Sequence, residues 1–397
     1  MDTLLSTPVP ARPVPPSHQR SRTVRAAVLA EVFTSPSTTI TRISDAVGVS
    51  RPTVTRAVAE LCEAEYITED GISTPDLGRP ARRLTRGPGA QLVLGIDISP
   101  TGTRLRLITL TGHLVGKVDI PEEELTAALG HAADLEEWTA AVSDALSGLL
   151  DESTWQRERV AVAVVSVSGI VDREGAVLLS VFIPRISGVD LRVLFTETLG
   201  VSEVIVENDM NLKASAELPA LADRGIDDFV YLTNHTALRP ATVIAGRVHP
   251  GAHGAVGEAN MLHKVGLIPE TLSHDGEEIP FFEIAPRLDR SELDAWWTAT
   301  FENRFARIIA VLVYPIDPQV VVISGGPITT SPSSLERIRR YLQDWLPAPF
   351  VPELIAASPE QYAILSGTLR RGLREAISRD LGVTNPPIPD LTPETLT

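Results

Sequence analysis

The apolar residues of this chain change their rhythm once, and that change limits what the chain can become. Between Thr23 and Phe33, Val24, Val28 and Val32 recur every fourth residue, one stripe of a helix. From Leu92 onward they come instead in short unbroken runs such as LVLGIDIS and VAVAVVSVSG, which read as strands. The order implies a small helical head followed by an α/β body. At 397 residues and 43% hydrophobic content, the chain is too long for one core. No stretch approaches the roughly 18–20 apolar residues of a membrane span, which excludes a bilayer protein. The single cysteine, Cys62, can neither close an internal disulfide nor build a cysteine zinc cluster, which excludes the disulfide-rich secreted and zinc-finger classes. Residues 1–20 carry prolines and arginines where a secretory signal needs an apolar core. They read as a disordered leader, and the expected compartment is the cytoplasm.

Charge follows the same division. The chain carries a net −16, yet residues 1–88 hold eleven arginines, no lysine and nine acidic residues, a balance of +2 that leaves −18 for the rest. A head able to approach a polyanion is thus joined to an acidic body that a polyanion repels.

Within the head, the first helix ends before Ser35-Pro36-Ser37, and a second spans Ile40 to Val47 and leads into Gly48-Val49. Ser50 is placed to cap a third, whose Val54, Val58 and Leu61 share one face. The other face carries Pro52, Thr55 and Arg56, with Ser50, Arg51 and Thr53 at its N-terminal edge. Pro52 is tolerated there because first-turn amides lack intrahelical partners. Helix, glycine turn and helix with a small, polar and cationic outward face form the helix-turn-helix pattern. In that pattern the start of the second helix meets base edges, where Arg donates twice to guanine and Thr meets thymine methyls. The plainer alternative is three helices packed for their own sake. Beyond Glu65-Tyr66-Ile67-Thr68, Asp70-Gly71 reads as a hairpin turn. Gly78-Arg79-Pro80, followed by Arg82 and Arg83, then reads as a wing: the extended tripeptide suits a narrow minor groove and the two arginines suit phosphates. The alternative there is a solvated basic linker. Cys62 is expected in the core.

In the body, LVLGIDIS, TRLRLITLT and HLVGKVDI read as antiparallel strands. Helices expected over Leu135–Leu150, Asp190–Leu199, Ser291–Val313, Leu335–Leu346 and Tyr362–Ile377 then alternate with further strand runs, and the repetition implies two α/β lobes. Four local patterns now carry a resemblance: the helix-turn-helix head, GIDISPTGT at 95–103, VENDMN at 206–211 and GAHGAVGEA at 251–259, joined by DPQVVVISGG at 317–326. Over nearly all of residues 21–380 the chain resembles the ROK family, which groups bacterial sugar kinases with winged-helix transcriptional repressors. The resemblance implies a winged helix-turn-helix domain over 21–88 and a two-lobed actin-like ATPase (ribonuclease H-like) domain over 89–385. It also implies a homodimer or higher homo-oligomer, and the head puts the chain on the repressor side. The proline-rich residues 386–397 read as a disordered tail.

The kinases of this family hold ATP phosphates with a Gly-Gly-Thr turn after the first strand and a Gly-Thr-Gly-Ile-Gly turn in the second lobe. Here these read Ser99-Pro100-Thr101-Gly102 and His235-Thr236-Ala237-Leu238-Arg239. Pro100 removes an amide donor, and Leu238 and Arg239 put bulk where phosphate must approach bare backbone. No ATP binding, sugar phosphorylation, catalytic residue or cofactor is therefore expected. Asn208 and Asp209 match the family's Asn-Asp pair, whose aspartate takes a sugar hydroxyl proton, and Glu258 matches a sugar-contacting glutamate. These three are the expected ligand contacts; the alternative for Asp209 is to cap a helix over Met210–Leu218. Phe182 in SVFIP replaces a family asparagine, Met261 replaces the histidine after Gly-Glu-x-Gly, and the family's cysteine-rich zinc loop is absent, so no metal site is expected. His249, His253 and His263 read as surface loop residues, Trp296 and Trp297 as core or subunit contacts, and Arg337, Arg339 and Arg340 as a solvated face.

The expected function is sequence-specific regulation, through repression, of carbohydrate-related genes. The partner is a double-stranded DNA operator, met by two recognition helices about 34 Å apart. The effector is open between a sugar, a sugar phosphate, a protein partner and none. The rival reading is a sugar kinase with an accessory DNA-binding head.

Overall fold

The structure, a computed structural model, describes residues 16–73, 81–121, 135–234, 238–257, 271–274, 277–280, 302–325 and 331–396. Helices α1 (Pro16–Thr34), α2 (Ile40–Val47) and α3 (Arg51–Glu63) precede strands β1 (Ile67–Ser73) and β2 (Ala81–Arg86). Next come β3 (Leu92–Ser99), β4 (Gly102–Thr109), β5 (Leu114–Pro121), α4 (Leu135–Asp151) and β6 (Val160–Val167). Three short strands follow, β7 (Ile170–Val171), β8 (Ala176–Leu179) and β9 (Val189–Asp190), then α5 (Leu191–Leu199), β10 (Val204–Asn208) and α6 (Asp209–Ala222). The later elements are β11 (Phe229–Asn234), β12 (Leu238–Ile244), β13 (Arg247–Val248), β14 (Thr271–His274), β15 (Glu277–Pro280), α7 (Glu302–Ile316), β16 (Val320–Gly325), α8 (Pro332–Trp345), β17 (Glu353–Ala356), α9 (Glu360–Leu381) and α10 (Pro393–Leu396). The chain divides into two compact units: residues 1–92 with 109–113 and 373–390, and residues 93–108 with 114–372 and 391–397.

In the first unit the apolar stripes of α1, α2 and α3 close on one another, burying Val28, Val32, Ile43, Val54, Val58 and Leu61. Thr39 caps α2 by accepting from the Arg42 amide at 3.3 Å. Gly48 ends that helix in the left-handed conformation, φ +70°, which a residue with a Cβ adopts only under strain. β1 and β2 pair antiparallel, and Thr38 bridges Leu84 through two backbone hydrogen bonds of 2.9 Å, which ties the loop after α1 to the wing. Asp70-Gly71 is not the hairpin turn. It lies inside β1, where the register shifts between Glu69 and Ile72 and Gly71 takes φ +69°, a bulge that only a residue tolerant of positive φ fills easily. The link between the strands falls in residues 74–80, outside the described residues. α1 begins at Pro16, so the leader expected over 1–20 ends inside a helix. Tyr66 is buried, with its hydroxyl donating to Asp380 at 2.9 Å; burial first, and then the charge of Asp380, holds its phenol well above the ordinary range.

In the second unit two five-stranded sheets repeat one order, β5-β4-β3-β6-β10 and β13-β12-β11-β16-β17. β4 runs antiparallel to β5 and β12 to β11, whereas β6 with β10, and β11 with β16 and β17, are parallel. Parallel strands are covered on both faces, which is why β6 and β16 appear in the sequence as unbroken apolar runs. Over the first sheet, Trp138 of α4 meets Phe195 of α5 edge to face at 5.5 Å. The second sheet is sandwiched. Val230, Leu232, Val321 and Ile323 pack against α7 and α8, while Phe229, Tyr231, Val320 and Val322 pack on the side of α6. The alternation is the two-residue period of a strand. These are the two lobes of an actin-like, sugar-kinase-type body.

Two expectations for the periphery change. Arg337 is only part-exposed and is paired: its guanidinium donates to both oxygens of Glu302 at 2.7 and 2.8 Å, and that carboxylate is fully buried and also accepts from the Ser334 hydroxyl. A charge that deep persists only when paired. Residues 393–396, expected in a disordered tail, form α10 with Thr395 and Leu396 buried. Of the helix expected over Ser291–Val313, α7 is the described part; Trp296 and Trp297 lie outside the described residues.

Candidate functional site

On α3, Arg51, Pro52, Thr53, Thr55 and Arg56 are exposed, while Val54, Ala57, Val58 and Leu61 are buried behind them. The buried stripe fixes the helix's rotation, so the remaining positions must form its outward face. Ser50 occupies the N-cap without making the expected capping bond; its hydroxyl lies 2.9 Å from that of Thr53. The Thr55 hydroxyl donates to the Arg51 carbonyl at 2.8 Å. Arg56 pairs with Glu60 one turn on, at 3.1 Å; an exposed pair of this kind is worth only about 0.3–0.5 kcal/mol. On the wing, Arg82 pairs with Glu69, and Arg83 lies 3.9 Å from Asp70. Gly78, Arg79 and Pro80 lie outside the described residues. Cys62 is half-buried rather than core, and burial followed by the charge of Glu69 pushes its thiol up, which keeps it protonated.

The body holds a cavity of about 470 Å³, walled by the Ser99–Gly102 turn, Phe182, Asp209 and Lys213 of α6, Thr233 of β11 and Arg239 of β12. Asn208 lies just outside it. Its Oδ1 accepts from the Met210 and Asn211 amides at 2.8 and 3.2 Å, and its Nδ2 donates to the Gly169 carbonyl at 2.6 Å. Asn208 therefore caps α6, and both ends of its amide are committed to backbone rather than to a ligand.

Asp209, freed from capping, is held by Arg239. The guanidinium donates to both carboxylate oxygens, at 2.9 Å to Oδ2 and closer to Oδ1, and to Ser168 Oγ at 2.9 Å. Phe182 lies under the same group, its ring centroid 5.8 Å from the guanidinium carbon, in cation–π range. Arg239 and Asp209 are 7% and 8% exposed, so the pair is a buried one. Leu238, the neighbouring bulky residue, turns into the core of the second sheet. Asp97, also lining the cavity, accepts from Arg104 at 2.6 and 3.1 Å. The sequence pointed to Asp209, Phe182 and Arg239 separately; that they meet, with Ser168, followed only from the fold. Glu258, Met261, His263 and residues 235–237 lie outside the described residues, and His249 and His253 are exposed. Among the described residues, no group of three or more His, Cys, Asp or Glu side chains is placed to hold a metal ion, and no helix is long and apolar enough to cross a membrane.

A winged helix-turn-helix head carried on a two-lobed actin-like body defines a class, that of DNA-binding, regulator-like proteins built on a sugar-kinase fold. Comparison with known proteins then gives a family likeness. The winged helix-turn-helix DNA-binding profile matches residues 25–68 and the ROK family profile residues 93–263. The body is thus similar to the ROK family over residues 93–263, and the head to winged helix-turn-helix DNA-binding domains over residues 25–68. The chain is similar in structure to a ROK family transcriptional regulator homologous to the MLC protein of E. coli, at 18% identity, 92% of this chain, 99% of that chain and a TM-score of 0.63. It is also similar to a ROK family protein from Streptococcus pneumoniae solved with sucrose (20% identity, 72% and 99% of the chains, TM-score 0.53). A third likeness is to the ROK hexokinase from Thermus thermophilus (24% identity, 70% and 97% of the chains, TM-score 0.50). At these identities the likeness is one of fold.

Proposed function

We propose that the protein is a sequence-specific, non-catalytic transcriptional regulator, a cytoplasmic repressor of carbohydrate-related genes that binds a double-stranded operator as a homodimer or higher homo-oligomer. The observation that carries this reading is the outward row of Arg51, Thr53, Thr55 and Arg56 on the second helix of the helix-turn-helix, backed by a wholly apolar stripe. Ser50, Arg51, Pro52 and Thr53 start the helix where it enters a major groove, Arg56 reads guanine, and Thr55 meets a thymine methyl. Arg82 and Arg83 leave Glu69 and Asp70 for phosphates, and Gly78-Arg79-Pro80 enters the adjacent minor groove.

The pairing of Asp209 with Arg239 supports the non-catalytic part. A general base must reach the hydroxyl proton it abstracts, and a carboxylate bonded through both oxygens to a buried guanidinium is poorly placed to do so. Pro100 and the substituted second turn, in the place of phosphate-binding glycines, support the same reading. Asp209 and Glu258 remain the proposed contacts for an effector, with Asn208 serving them only by fixing the start of α6. Electrophoretic retardation of duplex DNA from the protein's own upstream region tests the proposal. Arg56→Ala is expected to weaken binding to the best site by roughly 1–3 kcal/mol while sparing non-specific binding. Unchanged retardation at moderate salt refutes the recognition helix, and ATP-dependent sugar phosphorylation that Asp209→Asn abolishes refutes the absence of catalysis.

A further inference from the structure

Glu60 sits where it can decide how Arg56 meets DNA. Its Oε1 accepts from Nε of Arg56, one turn back on α3, at 3.1 Å, while its Oε2 lies 3.5 Å from Nη1 of Arg25 on α1. Arg25 and Glu60 are both half-buried, whereas the Arg56 side chain is 82% exposed. The three residues thus form a row of alternating charges that starts on α1 and ends at an exposed guanidinium.

Which nitrogen the acid takes matters. A guanidinium carries its N–H donors in a flat fork, and guanine is read bidentately at O6 and N7. With Nε engaged by Glu60, the edge formed by Nη1 and Nη2 remains, and among the described residues neither Nη of Arg56 has a hydrogen-bond partner. That edge can meet guanine end on. The wing is arranged the opposite way. Arg82 gives Nη1 to Glu69, and Nη2 of Arg83 lies 3.9 Å from Asp70, so there the acids occupy nitrogens that would face a phosphate.

We propose that Glu60 is a positioning residue for base reading: it holds Arg56 with its Nη edge presented to guanine, and so sets sequence preference without touching DNA. An unbraced arginine of this exposure samples many rotamers and has to be ordered on binding, whereas one already braced has less freedom to lose. The pair is weak in water, and it strengthens once the groove displaces the solvent around it. Simple charge repulsion makes the reverse prediction, since an acid close to a polyanion should only hinder binding. The inference rests on the regulator reading and adds a residue to its DNA-reading face; no bond is made or broken.

The test is titration of the full chain, followed by electrophoretic retardation, with two duplexes of equal length: the best-bound segment of its own upstream region, and the same bases shuffled. Glu60→Ala, which suits a helix, is expected to weaken binding to the upstream duplex roughly three- to tenfold while the shuffled duplex is bound equally or more tightly. In an Arg56→Ala background the same substitution should no longer weaken the upstream duplex, because the residue it positions is gone. Glu69→Gln is the internal contrast, expected to strengthen both duplexes alike by releasing Arg82 for phosphate. Should Glu60→Ala fail to fold, Glu60→Gln, which keeps the shape of the side chain and removes its charge, is read by the same criteria. The proposal is overturned if the Glu60 variant binds the upstream duplex as tightly as wild type or more tightly, if the shuffled duplex loses affinity in equal proportion, if the loss persists undiminished without Arg56, or if Glu69→Gln alters sequence preference in the same way. A wild-type chain that binds the two duplexes alike sinks the regulator reading and this inference with it, whereas discrimination by wild type together with any of those four outcomes sinks only the role of Glu60.

Discussion

The pairing of Arg239 with Asp209 sets a large and specific energetic expectation. Arg239→Met keeps most of the side-chain volume, and keeps an apolar stem against Phe182, but strips a carboxylate that is 8% exposed of its two guanidinium donors. Both partners are about nine-tenths buried, so solvent screens little of the loss, and breaking such a pair from one side costs about 3–5 kcal/mol. For a cooperative unit of a few hundred residues that corresponds to a fall in Tm of roughly 6–20 °C. Asp209→Leu alone should cost a similar amount, through the stranded guanidinium. The double variant Asp209→Leu/Arg239→Met should recover most of the loss, since two apolar residues replace two charges that had to be desolvated. Differential scanning calorimetry of the four proteins gives the cycle. If Arg239→Met lowers Tm by less than about 2 °C, or if the two single losses simply add in the double variant, the buried pair does not exist as described.

Further expectations follow from neighbouring groups. Asn208→Ala should lower stability by about 0.5–2 kcal/mol through the lost cap, seen as a shift in urea midpoint; no change would return the capping role to Asp209. Glu217 is buried, and burial raises its carboxyl pKa despite the opposing hydrogen bonds from the Ser358 amide and hydroxyl. Its folded form therefore binds a proton more tightly than its unfolded form, so its contribution is fully present below the ordinary glutamate range and is lost as pH rises through the raised value. Measured from pH 4 to 8, the Tm of wild type should fall relative to that of Glu217→Gln, and parallel profiles would contradict this.

Local physics made the head legible. Stripes at helical spacing, Gly48 at a position with positive φ and the turn between α2 and α3 depend on neighbours within a few residues, and the chain spells them out. The parallel strands were legible for a related reason: burial on both faces leaves an unbroken apolar run. What the sequence hid lies in contacts between distant residues or in choices between adjacent ones. Arg239 was visible as bulk in a glycine position, but its partner is 30 residues away and is met only when β12 passes the start of α6. Whether Asn208 or Asp209 caps α6 turns on a shift of one residue, which spacing alone does not decide. Arg337 looked like one of three surface arginines because its buried partner, Glu302, belongs to another helix. The Gly71 bulge resembled a turn because both need the same backbone conformation.

The claim on which the rest depends is that the exposed face of α3 reads duplex DNA. Selection of bound duplexes from a randomised pool by the full chain, repeated with Arg56→Ala, tests it most directly. Recovery of a two-fold related motif with half-sites roughly one helical turn apart, lost or relaxed at defined positions with Arg56→Ala, is the predicted result. A pool without an enriched motif, or the same motif recovered equally well with Arg56→Ala, would contradict it.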